Sequence, residues 1–127
     1  MKFRISIGQI NPKSGDISGN ASKIINAIQQ ACEDSADLLV LPEMCLTGYC
    51  LDEKLLMNLD FLNDNKNTLE TIIAPAARNI DVIVGFVDYD TSEIGPDGKP
   101  VRYNAAALLQ KGEISRVVHK RLLPSYR

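Results

Sequence analysis

What the sequence lacks sets its first limits. Its three cysteines, Cys32, Cys45 and Cys50, are an odd set with no CxxC spacing. Neither a zinc site nor a disulfide framework is therefore indicated, and reduced, packed thiols are the expectation. There is no basic stripe or arm: 14 lysines and arginines stand against 16 acids, a net charge of −2 spread along the chain. That balance argues against nucleic acid as the main partner. No apolar run approaches the roughly 18–20 residues needed to cross a bilayer, so no membrane partner is expected. The opening MKFRISIGQ alternates polar and apolar residues, where a secretory leader would carry a continuous apolar core. The cytoplasm is the expected compartment. Histidine occurs once, at position 119, and a lone histidine on a strand is expected to pack or to face solvent. What remains, 45% hydrophobic and 24% charged over 127 residues, is ordinary for one globular domain with a usable core.

The order of elements follows from periodicity. Phe3, Ile5 and Ile7 alternate with Arg4 and Ser6, giving a first strand that ends near Gln9. After the turn-forming Asn11 to Asp16, Asn20 is a plausible N-cap for a helix running to about Glu33. Its apolar stripe holds Ile24, Ile25, Ile28 and Cys32. Leu38 to Leu41 is short and apolar enough for a strand buried on both faces. Leu51 to Leu62 reads as a short helix or a lid-like loop. A second main helix is expected from about Asn67 to Arg78, with Leu69, Ile72, Ile73 and Ala76 inward and Pro75 late in it as a kink or stop. Asp81 to Val87 is another buried strand. Turn-rich Gly95 to Pro100 then leads to a strand from Arg102 to Gln110, and Lys111-Gly112 makes a tight turn into a last strand, Glu113 to His119. The order β-α-β-α-β-β-β defines an α/β fold with a mixed parallel and antiparallel sheet and helices on at least one face.

The chemistry concentrates after the second strand, in LPEMCLTGY (Leu41 to Tyr49). Pro42 has no N–H to donate and ends ladder pairing. Glu43 then stands at the carboxyl end of a strand, where open α/β sheets usually hold their sites. A carboxylate among apolar neighbours needs a partner. Lys120 sits at the matching position after the last strand. If those strands are neighbours, the two side chains meet at one sheet edge. The ammonium would keep the acid ionised and able to accept a proton, and would stabilise negative charge growing on a substrate oxygen. An ordinary strand-end ion pair is the competing reading. Cys45, two residues past Glu43, would share its side in an extended chain. Gly48 supplies a turn, and Tyr49 a large amphipathic ring beyond it.

Three stretches in order, LPEMCLTGY, YNAAALL (Tyr103 to Leu109) and HKRLLPSY (His119 to Tyr126), resemble the carbon–nitrogen hydrolase, or nitrilase, superfamily. The start GQINPKSGDISGNASKI, and the run of Asp52-Glu53-Lys54-Leu55-Leu56 after LTGY, are most similar to the amino-terminal glutaminase domains of glutamine-dependent NAD synthetases. The resemblance covers essentially the whole chain. It implies a four-layer α-β-β-α sandwich and a Glu–Lys–Cys triad, with Glu43 as general base, Lys120 as oxyanion stabiliser and glutamine as substrate. Tyr49 and Tyr126 would be pocket aromatics. In the family the nucleophilic cysteine follows the lysine loop, and Cys45 stands where the family has a non-nucleophilic residue. Residues 1–127 are thus expected to be the first portion of a longer domain, incapable of turnover alone. No cofactor is expected in this portion; ATP and magnesium would belong to a separate synthetase domain. The resemblance also implies a homo-oligomer, and an incomplete sandwich should expose an apolar sheet face and self-associate. Two alternatives stay open: another carbon–nitrogen hydrolase, such as an amidase or carbamoylase, and a non-catalytic α/β binding module.

Overall fold

A computed structural model describes residues 2–49 and 53–121. Five strands form one sheet in the spatial order β1-β2-β3-β4-β5: β1 (Ile5–Ile7), β2 (Leu38–Val40), β3 (Asp81–Ile94), β4 (Pro100–Gln110) and β5 (Glu113–His119). β1, β2 and β3 pair in parallel, and β4 and β5 follow as antiparallel neighbours. The expected mixed α/β sheet is thus the observed one. The two parallel crossovers run through α1 (Ile17–Glu33) and through α2 (Glu53–Leu56) with α3 (Leu59–Thr68). Both step the same way across the sheet, so the right-handed rule puts both on one face.

That face holds the core. Ile24 and Ile28 of α1 pack with Leu39 of β2, with Val82, Val84 and Phe86 of β3, and with Ala105, Ala107 and Leu109 of β4. By alternation the other face carries Ile5, Ile7, Leu38, Val40, Ile83, Ala106, Leu108 and Val118. Among the described residues no helix covers it: Ile5, Ile7 and Val118 are 53%, 65% and 53% exposed. The expected bare apolar face is present. Among the described residues no helix is long and apolar enough to cross a membrane.

Three local expectations need correction. The cap of α1 is Asp16, whose side chain accepts from the Gly19 N–H at 3.0 Å. Asn20 lies inside the helix, fully buried. There its carboxamide bonds Lys13 N and O and Leu46 O, so it staples the 13–15 turn and the 46–48 turn to α1. The second main helix begins at Leu59, capped by Asn58, about eight residues before the expected start. It continues through a π-helical turn, Leu69–Ile73, into a last turn, α4 (Ala74–Ala76). Pro75 cannot donate to the Thr71 carbonyl. The wider turn, in which Ala74 N–H reaches the Leu69 carbonyl, accommodates that gap. The inserted residue rotates the buried set to Leu69, Ile73, Ala74 and Ala77 and leaves Ile72 51% exposed. Finally, β3 runs on through polar residues to Ile94, because β4 pairs with it well beyond the apolar stretch.

The β4–β5 connection is as compact as expected: Lys111 and Gly112 both have positive φ, 54° and 81°, the signature of a two-residue type I′ hairpin.

Candidate functional site

β2 stops at Val40, and the chain then crosses the uncovered face of β3. Leu41 N–H donates to the Ile83 carbonyl at 2.9 Å, and Leu46 N–H to that of Gly85 at 3.2 Å. Between these anchors the backbone lies directly on Gly85. A β-carbon there would come to 2.4 Å from Met44 N and 2.5 Å from Pro42 O. Only glycine admits so close a passage. Met44 takes a positive φ of 50°, which throws the following residues back under the sheet edge toward the helices. Glu43 is left outside on the bare face, half exposed.

β5 runs parallel to β2, with two strands between them, so its carboxyl end reaches the same edge. Lys120 extends from it, and its Nζ lies 2.6 Å from Glu43 Oε1. Asn104 of β4, between them, donates from Nδ2 to the same oxygen, also at 2.6 Å. Both donors end on Oε1, and among the described residues none bonds Oε2. The Lys120 hydrogen bond first, then that of Asn104, hold the Glu43 carboxyl below its usual range, against a smaller upward push from burial. The pair borders a cleft of about 240 Å³ floored by Leu41, Ile83, Gly85, Ala106 and Val118. An acid kept ionised, with one oxygen occupied and one open, can accept a proton from a group entering that cleft. An ammonium beside it can stabilise a developing oxyanion.

The structure brings Glu43 and Lys120 together, although their strands are not the neighbours that the strand-end argument supposed. β3 and β4 lie between β2 and β5, and the crossing of residues 41–46 over β3 closes the gap. Tyr49 is half exposed and is not among the residues bordering this cleft; Tyr126 and Cys50 lie outside the described residues. Cys45 departs from expectation. Because Met44 turns the chain, Cys45 does not share the side of Glu43 but is fully buried in the core, its Sγ 3.5 Å from the Gly85 carbonyl. Burial pushes its thiol up to about 11, so it carries almost no thiolate at neutral pH. Asn104 was missed. Its signal was a polar residue at the open end of the apolar run NAAALL, on the face that alternation shares with Lys120. Among the described residues no three His, Cys, Asp or Glu side chains converge as metal ligands.

An α/β sheet with an acid–amine pair at its carboxyl edge, over a cleft on its uncovered face, is the class that fold and site define. The chain belongs to the carbon-nitrogen hydrolase family, whose family model matches residues 4–127. It is 39% identical over 127 residues to the glutamine-dependent NAD(+) synthetase of Thermotoga maritima, covering 98% of this chain and 20% of that protein. The structure of the glutamine-dependent NAD+ synthetase from Acinetobacter baumannii superposes with a TM-score of 0.81 at 31% identity, over 100% of this chain and 22% of the other. An amidase from Nesterenkonia sp. superposes at 0.76 with 23% identity, over 98% of this chain and 44% of the amidase; that likeness concerns the fold alone. The chain spans about a fifth of the length of the synthetases it matches.

Proposed function

We propose that this chain is the first portion of a glutaminase domain that releases ammonia from glutamine for NAD synthesis. The observation that carries the reading is the contact of Lys120 Nζ and Asn104 Nδ2 with one oxygen of Glu43, in a chain whose 30–39% identical relatives are glutamine-dependent NAD synthetases. Glu43 Oε2 takes the proton of a cysteine thiol supplied by chain outside residues 1–127. The thiolate attacks the glutamine side-chain carbonyl carbon, and Lys120 stabilises the oxyanion that forms. As the C–N bond breaks, Glu43 returns its proton to the departing nitrogen, so ammonia leaves and a thioester remains. Glu43 then takes a proton from water, which attacks the thioester; glutamate leaves and the thiol is restored. Covering the cleft would exclude water and strengthen each of these interactions.

Several expectations belong to the same reading. The bare face with Ile5, Ile7 and Val118 suits a second sheet contributed by further chain, completing the four-layer sandwich. ATP and magnesium would serve ligation elsewhere in the protein, where the ammonia is used. A cytoplasmic homo-oligomer is the expected state. Pocket roles for Tyr49 and Tyr126 remain part of the proposal.

The test is Glu43→Gln in the full-length protein. Ammonia release from glutamine should be lost while the fold, judged by its circular dichroism and unfolding midpoint, is retained. Release at the normal rate would remove Glu43 as the base and leave the binding-module alternative.

A further inference from the structure

The sheet edge that carries Glu43 and Lys120 has a second polar cluster on its opposite face. Asp88 of β3 lies directly across the ladder from Tyr103 of β4. Its Oδ1 is 2.9 Å from Lys66 Nζ of α3, and its Oδ2 is 2.8 Å from His119 Nε2, at the end of β5. The imidazole lies flat on the Tyr103 ring, with centroids 3.9 Å apart and planes within 5°. The Tyr103 hydroxyl donates to Glu93 Oε2 at 2.9 Å. Three elements, α3, β3 and β4, thus converge at the end of β5 on a histidine that immediately precedes Lys120. Burial works to raise the Asp88 carboxyl, and the hydrogen bonds from His119 and Lys66 outweigh it, leaving it below its ordinary value.

Among the described residues β5 is an edge strand, with β4 as its one neighbour. Its end is held by the ladder bond from Lys120 N–H to the Asn104 carbonyl, 2.8 Å, and by the bond and stacking that grip His119. Side chains of consecutive strand residues point to opposite faces, so fixing His119 on the helix face aims Lys120 at the bare face. The Lys120–Glu43 pair cannot supply that order itself. It is 45% and 43% exposed, and exposed pairs contribute only about 0.2–1 kcal/mol.

We propose that Asp88 and His119 are positioning residues: by clamping the end of β5 from the helix side, they aim the Lys120 ammonium at Glu43 Oε1 on the other. The consequence for rate rests on the glutaminase reading above; the geometric part does not. Lys66 ties the clamp to α3, so the helix layer is coupled to the site through Asp88.

The experiment uses three variants of the full-length protein. His119→Phe keeps a ring on Tyr103 but loses the bond to Asp88, His119→Gln keeps a donor of similar reach without the ring, and Asp88→Ala removes the acceptor. His119→Phe and Asp88→Ala should lower kcat for glutamine hydrolysis by about tenfold or more, with KM within about twofold. Because the depression of Glu43 comes first from Lys120, the acid limb of the pH–rate profile should move upward in both. His119→Gln should recover most of the rate and the original limb. A crystal structure of His119→Phe should show Lys120 Nζ beyond hydrogen-bond distance of Glu43. An intact contact with an unmoved acid limb would overturn the proposal, as would equal losses in all three variants tracking a lowered unfolding midpoint. If the unsubstituted protein releases no ammonia from glutamine, the glutaminase reading falls, and the Lys120–Glu43 distance in His119→Phe alone decides the clamp.

Discussion

Replacing Gly85 with alanine should displace the catalytic candidate without touching any charged group. The atoms nearest a methyl at this position are all backbone: Met44 N at 2.4 Å, Pro42 O at 2.5 Å and the Glu43 carbonyl carbon at 2.9 Å. Non-bonded heavy atoms settle at about 3.5–4.0 Å, so the 42–44 segment must retreat by roughly 1 Å. It cannot swing away freely, because the bonds from Leu41 N–H to Ile83 O and from Leu46 N–H to Gly85 O pin it at both ends. The overpacking should cost about 1–3 kcal/mol of stability. A displacement of about 1 Å at a reacting group is worth on the order of a hundredfold in rate. The assay is glutamine hydrolysis by full-length Gly85→Ala protein, with thermal unfolding alongside. Gly95→Ala is the control, since its nearest new contact is a side-chain oxygen at 3.4 Å, and it should behave as the unsubstituted protein. A Gly85→Ala protein within about twofold of the normal rate, at an unchanged unfolding midpoint, would refute the claim that contact with β3 fixes Glu43.

Asn104→Ala removes the second donor to Glu43 Oε1. Since that bond helps to hold the carboxyl down, the acid limb of the pH–rate profile should shift upward, as titration of the variant at low pH would register. Cys45 should resist alkylation at pH 8 in the folded protein, because its thiol titrates near 11, whereas exposed Cys32 should react; peptide mass spectrometry before and after denaturation distinguishes the two. Asp88 is depressed in the folded state, so its contribution to stability is present above the unfolded aspartate value of about 3.9. That contribution is lost as pH falls through the lower folded value. Unfolding midpoints measured from pH 6 to pH 2.5 should therefore decline less steeply for Asp88→Asn than for the unsubstituted protein.

Local rules carried the sequence reading a long way, and its failures share one cause. β2, β5 and the Lys111-Gly112 turn were legible because an apolar run or a turn dipeptide is a local signal. Residues that act across the fold were not. Asn20 carries the composition of a helix cap, yet its carboxamide satisfies backbone groups seven and 26 residues away. Asn65 of α3 is similar: it accepts from Val87 N–H at 3.2 Å and donates to Val87 O at 2.5 Å. It supplies what a neighbouring strand would, where β2 has already ended. Buried carboxamides of this kind leave no periodic trace, since any polar residue in a helix reads first as solvent-facing.

The same distinction separates the two halves of the site. Glu43 and Lys120 were legible as a pair because each follows a strand, and one topological rule gathers strand ends at one edge. Asn104 and the His119–Asp88 contact depend on register, on which residue of β4 stands beside which residue of β3 and β5. Register is set by the hairpin turns, by the shift in the β4–β5 ladder where Leu108 pairs with Arg116 and Leu109 with Ile114, and by burial of the helix face. A one-residue slip of β5 on β4 would exchange the faces of His119 and Lys120, turning the ammonium toward the helices and the imidazole toward the cleft. The tight Lys111-Gly112 turn is therefore a determinant of the site although it lies at the far end of the hairpin. Lengthening it by one residue should uncouple Lys120 from Glu43, and a structure of that variant should show Lys120 Nζ beyond hydrogen-bond distance of Glu43 Oε1.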